Sequence, residues 1–256
     1  GPKWAKHVAA TYGPGGSGFT AAACVVVEDD TKVQCTTTEG IGSSHRWIVS
    51  IAGVSSAMST VLTSYKRPVV TSLSGPGYLS ADTKGGQPIY LTGSQFGPMG
   101  TGTNALGVSF YGPPVAVYGG DVGNNNPRFF AVDCQVSAAH TQIRCLTAPG
   151  TGKDHAWRVT VGAQNSDVLE AEMSYAPPVI VAFTNEGAES ALTPGGQVVV
   201  IEGRQFGFDS AMIDAVTYGV DSKEFDATPQ CTILEAHRRI ECQTTEGAGA
   251  ALKWLV

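Results

Sequence analysis

Cys24-Val-Val-Val-Glu-Asp-Asp-Thr-Lys-Val-Gln-Cys35, followed by Trp47, is the stretch that decides the fold, because the chain uses its pattern twice more. Cys134 and Cys145 precede Trp157, and Cys231 and Cys242 precede Trp254. In every copy ten residues separate the cysteines and eleven separate the second cysteine from the tryptophan. All six cysteines of the 256-residue chain fall in this pattern. The chain is therefore a tandem array of one module of about 100 residues.

An aliphatic residue stands two places after each first cysteine (Val26, Val136, Ile233) and two places before each second one (Val33, Ile143, Ile240). A period of two puts each on the same strand face as its cysteine. A hairpin folded at the midpoint sets Cys24 opposite Cys35 and Val26 opposite Val33, with tips at Asp29-Asp30, Ala139-His140 and Ala236-His237. These tips lack the glycines of tight primed turns, so a wider loop stays open. The facing geometry predicts three local disulfides: Cys24–Cys35, Cys134–Cys145 and Cys231–Cys242. A shared Cys-x-Thr-x-(Glu/Pro)-Gly-x-Gly turn follows, ending at Gly42, Gly152 and Gly249. Trp47-Ile-Val-Ser-Ile51 and Trp157-Arg-Val-Thr-Val161 then alternate as strands, and Trp254-Leu-Val256 opens the third, with each tryptophan inward.

A second motif, Gly85-Gly86-Gln87, an apolar strand, then Gly93-Ser-Gln-Phe96-Gly97, returns as Gly195-Gly196-Gln197 to Gly203-Arg-Gln-Phe206-Gly207. Its strand is expected to be central, with Phe96 and Phe206 plugging one end of the core. Tyr-Gly pairs follow at Tyr111-Gly112 and Tyr218-Gly219, and another stands at Tyr12-Gly13. Glycine is abundant at 32 residues and charged residues are only 15%, without helical periodicity. Short strands joined by Gly/Pro/Ser/Thr turns argue for an all-β sandwich. Net charge is −6 with no Lys/Arg cluster, which weighs against nucleic acid as a partner. No apolar run reaches the roughly 20 residues of a membrane span. Paired cysteines without Cys-x-x-Cys point to disulfides rather than zinc, and to an oxidising, extracellular or cell-surface setting.

Taken together, these signals resemble the IPT/TIG module, the immunoglobulin-like sandwich of plexins, the hepatocyte growth factor receptor, fibrocystin-type proteins and many bacterial and protist surface proteins. The resemblance covers the whole chain in three register-matched copies. It implies tandem immunoglobulin-like β-sandwiches, one complete and two partial: the C-terminal part of a module at 1–66, a complete module at 67–175, and a module lacking its last strand at 176–256. Laid over the second copy, Gly1-Pro2 aligns with Gly97-Pro98. Ends that fall mid-module are expected either of a window on a longer array or of modules completed by a neighbour's strands. The joints Ser64-Tyr65-Lys-Arg-Pro68 and Ser174-Tyr175-Ala-Pro-Pro178 are short, so successive modules are expected to form a semi-rigid rod.

Candidate chemistry is sparse. None of His7, His45, His140, His155 and His237 pairs with another ligand at metal spacing. His45 and His155 stand two before their tryptophans while the third copy has Leu252 at that offset, beside Ala251, which reads as a surface position. Gly13-Pro-Gly15-Gly-Ser-Gly18 leads into a strand, not the helix a phosphate cradle needs. The second copy is longer than the third, and Tyr118-Gly-Gly-Asp121-Val-Gly-Asn124-Asn125-Asn126-Pro127 reads as an exposed loop within 112–128, the candidate binding loop. Its oxygens suit Ca²⁺, but a turn explains the same residues better. No catalytic, cofactor or metal residues are assigned, and no Asn-x-Ser/Thr sequon occurs.

The expectation is a non-enzymatic extracellular structural protein, a rod or polymeric surface fibre whose partners are copies of itself or further modules. The alternatives are a receptor or adhesin ectodomain binding a protein or glycan, and accessory carbohydrate-binding modules of a larger enzyme.

Overall fold

The computed structural model describes residues 7–100 and 111–256; Gly1-Pro2, aligned above with Gly97-Pro98, lies outside them. Strand accounts for 47% and helix for 4%, which places the chain in the all-β class. It divides into two compact units: Gly1–Leu73 with Tyr90–Cys145 and Trp157–Leu169, and Ser74–Ile89 with Leu146–Ala156 and Glu170–Val256.

The first copy contributes β1 (Val8–Gly13), β2 (Phe19–Thr20), β3 (Ala22–Glu28), β4 (Lys32–Thr36), β5 (Arg46–Ile51) and β6 (Val54–Ser55). One sheet runs β2-β1-β5-β6, and β3-β4 form a two-stranded hairpin. The second copy contributes β7 (Val69–Ser74), β8 (Pro88–Ser94), β9 (Val115–Asp121), β10 (Asn126–Phe130), β11 (Val132–Ala138), β12 (Gln142–Leu146), β13 (His155–Val161), β14 (Gln164–Asn165) and β15 (Leu169–Met173). Its two sheets run β11-β12-β8-β7 and β10-β9-β13-β14, with β15 also paired to β13. The third contributes β16 (Val179–Thr184), β17 (Val198–Arg204), β18 (Thr217–Gly219), β19 (Phe225–Asp226), β20 (Thr232–Glu235), β21 (Arg239–Gln243) and β22 (Lys253–Leu255), in sheets β16-β17-β21-β20 and β19-β18-β22.

The strand of the second motif is internal to its sheet in both copies, as β8 and β17. Phe96 and Phe206 are buried behind it. A Cβ at Gly93 would collide with the Val69 carbonyl and the Phe96 ring, and one at Gly203 with the Val179 carbonyl and the Phe206 ring. Glycine is required there because the neighbouring backbone comes that close.

The cystine hairpins share one geometry. Cys24–Cys35, Cys134–Cys145 and Cys231–Cys242 are bonded, each with Cα atoms 4.1 Å apart. Val26 faces Val33 and Ile233 faces Ile240. Each tip is a four-residue turn closed by Thr31 N–H to Glu28, Thr141 N–H to Ala138 and Arg238 N–H to Glu235. Asp30, His140 and His237 take positive φ (60°, 63° and 67°) in place of the glycine such a turn prefers. The cysteines are buried in the second and third copies and half-buried in the first, whose hairpin is a sheet of two strands among the described residues.

Opposite each hairpin lies an aromatic pair. Tyr12 faces Trp47, Tyr118 faces Trp157 and Tyr218 faces Trp254 across adjacent strands, ring centroids 4.4, 4.3 and 4.3 Å apart and stacked. Direct cross-strand opposition brings the rings together, and the offset stack adds to their burial. This corrects two expectations. The Tyr-Gly equivalent in the second copy is Tyr118-Gly119, not Tyr111-Gly112. Tyr118 is fully buried, so it belongs to the core and not to a binding loop. Most of the sequence excess of the second copy over the third therefore lies before Tyr118, because Phe96 to Tyr118 spans twenty-two residues where Phe206 to Tyr218 spans twelve, against sixteen and thirteen from the tyrosine to the next cysteine.

The histidines require a third correction. His45 and His155 are buried, not surface residues. Each stands two before its tryptophan, and the period of two that turns the indole inward turns the imidazole inward as well.

Candidate functional site

The exposed face proposed for binding is a β-hairpin rather than a loop. β9 runs on through Gly119 and Gly120, both at φ 64°, to Asp121, and residues 122–125 form the turn into β10. Asp121 accepts from the Asn124 N–H (3.0 Å) and side-chain amide (2.7 Å). These bonds, the side-chain one foremost, hold its carboxyl below the usual range. Val122 is buried beneath the tip. Arg158, on β13 and also buried, donates to Asn125 Oδ1 (2.6 Å) and to the Gly123 carbonyl (3.5 Å). Asp121 and Asn125 are thus spent on holding the turn, and Asn126 is an exposed first residue of β10. Their oxygens do not converge. Among the described residues no group of three His, Cys, Asp or Glu is placed to hold a metal ion.

The same side chains recur where one copy follows another. His140 Nε2 donates to Glu39 Oε2 at 3.0 Å, joining the second cystine hairpin to the glycine turn of the first copy. The backbone of Gly97 packs against Ile41, and Tyr111 packs against Gly42 and His45. Arg67 bonds Asp167 (2.6 Å), and the Gln164 amide donates to the Tyr65 carbonyl (3.1 Å). In the third copy, His237 takes the role of His140. The Thr83 N–H and hydroxyl both donate to Gln205 Oε1 (2.8 and 2.9 Å). With that hydroxyl hydrogen committed, His237 Nδ1 carries a proton and donates to Thr83 Oγ1 at 2.9 Å. Burial, and then Lys84, hold the His237 pKa below the ordinary value, with Asp82 acting the other way. Gly207 packs against Thr151, the residue equivalent to Ile41. The sequence signal for these contacts is the fixed place of His140 and His237, six residues after a cysteine.

His45 lies in a box of rings, perpendicular to Tyr12, Phe19, Tyr65 and Tyr111 with centroids 5.4–6.2 Å away. Neither ring nitrogen makes a hydrogen bond among the described residues. Burial lowers its pKa, while the Gly42 and Ile41 backbone acts more weakly the other way. His155 Nε2 meets the Thr151 carbonyl at 3.1 Å, and its ring lies edge-on to Tyr175.

Open surface features among the described residues offer space for a ligand; one, of about 500 Å³, is lined by Thr193, Pro194, Glu246, Gly247 and Ala248. A shallow groove of about 540 Å³ in the first unit is lined by Pro113, Val115, Asp133, Gln135 and Arg144. In the second unit a smaller cavity of about 130 Å³ lies among Tyr218, Phe225, Thr245, Gly247, Gly249 and Leu252. No helix among the described residues is long and apolar enough to cross a membrane.

No family model matches the chain, and no curated protein matches it. It is similar to solved structures of low identity. One is the SGBP-B from a complex xyloglucan utilization locus in Bacteroides uniformis: 15% identity, 72% of this chain and 44% of that one, TM-score 0.30. Another is a crystal structure with xylogluco-oligosaccharide: 16% identity, 87% and 46% coverage, TM-score 0.34. A third is the surface layer protein SbsC, domains 4–9: 11% identity, 96% and 36% coverage, TM-score 0.20. The chain spans less than half the length of each, and at these TM-scores the likeness carries no argument about what this chain does.

Proposed function

We propose that the chain is a non-enzymatic, extracellular structural protein whose IPT/TIG-like modules, pinned by one local disulfide each, serve as a spacer or as part of a surface fibre. The observation that carries this reading is that two successive joins use the same two places of the later copy, a hairpin-tip histidine and the glycine after the plugging phenylalanine. A histidine at the cystine-hairpin tip, His140 or His237, bonds the preceding copy at Glu39 or Thr83. Alongside it, the glycine after the plugging phenylalanine, Gly97 or Gly207, packs on Ile41 or Thr151. A join that reuses the same histidine and glycine places, though the histidine meets a different residue of the preceding copy each time, restricts the freedom of neighbouring modules. Three disulfides fit an oxidising compartment. Electron microscopy of the native protein tests the reading: filaments or stiff rods with a module-length repeat are expected, and compact particles or freely jointed beads would overturn it.

A second reading is glycan binding; one of the similar structures is of a complex with xylogluco-oligosaccharide. It has one local support in this chain. The groove at Pro113, Val115, Asp133, Gln135 and Arg144 sets planar polar groups beside apolar surface, the mixture a sugar ring needs. Titration with xylogluco-oligosaccharide, repeated on Arg144→Ala, tests it. Saturable binding lost in the variant would favour this reading, and no binding would remove it.

A further inference from the structure

A buried histidine lies against the join between the first two copies. His45 is 1% exposed, and neither of its ring nitrogens has a hydrogen-bond partner among the described residues. Of the rings around it, three belong to its own copy. Tyr12 is stacked on Trp47, and Phe19 stands opposite Tyr12 across β1 and β2. Tyr65 donates its hydroxyl to the Thr38 carbonyl (2.6 Å) and its N–H to the Gly42 carbonyl (2.9 Å). Another ring, that of Tyr111, comes from the second copy. A Cβ on Gly42 would collide with it, and the Tyr111 hydroxyl reaches the Ser43 carbonyl at 3.4 Å. The core of the first copy thus holds three sides of the box, and the join holds one.

The box disfavours a charge. The groups that face the imidazole are the phenols of Tyr12, Tyr65 and Tyr111, the Phe19 ring and the backbone of Ile41 and Gly42. Arg46, next to it on β5, is exposed. Burial raises the pKa of both Tyr65 and Tyr111, the mark of surroundings that resist ions. An imidazolium held there is kept from water with none of these groups carrying a negative charge, which is costly. The ionic contacts of the same join, His140–Glu39 and Arg67–Asp167, lie in solvent and contribute little. Protonating His140 strengthens its contact with Glu39, so acid acts on the join in opposite senses through the two histidines. Tyr12, Phe19 and Tyr65 cannot leave without breaking the core of the first copy, whereas Tyr111 leaves when the second copy moves.

We propose that His45 is an acid-sensitive latch: on taking up a proton it expels Tyr111 and releases the second copy from the first. The inference rests on the reading of the joins as stiff connections and adds their control. Its sign follows from burial, which holds the His45 pKa below the ordinary value. The closed join is therefore favoured above about pH 6.5 and loses that advantage as pH falls. Between pH 7.5 and 5, an open state titrating near 6.5 gains about thirtyfold over a closed state that stays neutral. The second join differs at the equivalent histidine. His155 Nε2 meets the Thr151 carbonyl at 3.1 Å, an acceptor that an imidazolium keeps. The latch thus belongs to the first join.

Spin labels on cysteines introduced at the exposed Ser55 and Asn126 of the 256-residue chain, whose native cysteines are all paired, read the distance between the first two copies. A distribution narrow at pH 7.5 should broaden at pH 5 and narrow again on return to pH 7.5. It should stay narrow at pH 5 in His45→Leu, and still broaden in His140→Gln. Alongside, NMR titration of the His45 ring should show its pKa moving toward 6.5 in Tyr111→Ala, where water reaches the box. The proposal is overturned if the wild-type distribution is unchanged at pH 5, if His45→Leu broadens equally, or if Tyr111→Ala leaves the His45 titration where it was. It is also overturned if the Trp47 indole signal is lost together with the change in distance, because the first copy has then unfolded. A distribution already broad at pH 7.5 overturns the stiff join itself, and the latch with it.

Discussion

Trp157 and Trp254 are the same residue of the same repeat, stacked on their tyrosines at the same 4.3 Å, yet one is fully buried and the other half-buried. The difference separates two things a sandwich must do. Cross-strand opposition fixes the stack: β9 against β13 in one copy and β18 against β22 in the other place the rings face to face whatever covers them. Burial does not follow from the neighbouring strand alone, since Trp47 is half-buried although β5 has β6 on its far side. β13 has β14 on its far side, whereas β22 is a sheet edge and Trp254 meets Phe183 at 5.9 Å. The local pair is encoded within a copy, and the depth of its core is not.

That comparison predicts unequal costs for equal substitutions. Trp157→Ala should destabilise by about 3–5 kcal/mol, the usual cost of an aromatic removed from a packed core. Trp254→Ala should cost less than half as much, because solvent already reaches the ring. Urea unfolding of the two variants, followed by the remaining tryptophans, measures the ratio. Equal costs would mean that the stack, rather than its cover, carries the energy.

The disulfides sharpen the comparison from the other side. Their hairpins are alike, with the same loop length and the same 4.1 Å Cα separation. Replacing Cys134 and Cys145 together by Ala should cost about 3 kcal/mol by the loop-entropy argument. The matching change at Cys231 and Cys242 should cost the same within about 1 kcal/mol, being set mainly by the unfolded chain. Calorimetry of both double variants checks this, and a large inequality would assign the stabilisation to native packing.

How legible this was in the sequence differs by element. The all-β class and the cystine hairpins followed from a spacing symmetric about its midpoint, where a period of two leaves little freedom. Tyr118 was missed because Gly119-Gly120 and the asparagines of 124–126 have turn composition, while the strand continues through both glycines in left-handed conformation. Tyr111-Gly112 then satisfied the motif falsely. The contacts of Glu39, Thr83 and Gln205 rest on proximity of residues far apart in sequence, which no local pattern reports.

His45 was missed for a different reason, and that reason yields a pH prediction. Its replacement by Leu252 in the third copy resembled the drift of a surface residue, yet Leu252 packs against the core of its own copy. The position takes an apolar side chain or a neutral imidazole equally well. A histidine in water titrates near 6.5, and burial depresses His45 below that. Below about pH 6.5 the unfolded chain therefore binds a proton that the folded chain resists. The contribution of His45 is complete above that pH and is lost as pH falls toward the lower folded value. His45→Leu should remove this part of the acid sensitivity and leave stability near pH 7.5 within about 1.5 kcal/mol, the range of hydrophobic core swaps. Comparing urea midpoints of wild type and variant at pH 7.5 and 5 isolates the effect, because every other titrating group is common to both. An equal drop in the two proteins would show that the box of rings accommodates the imidazolium, with Tyr12, Tyr65 and Tyr111 acting as cation–π partners.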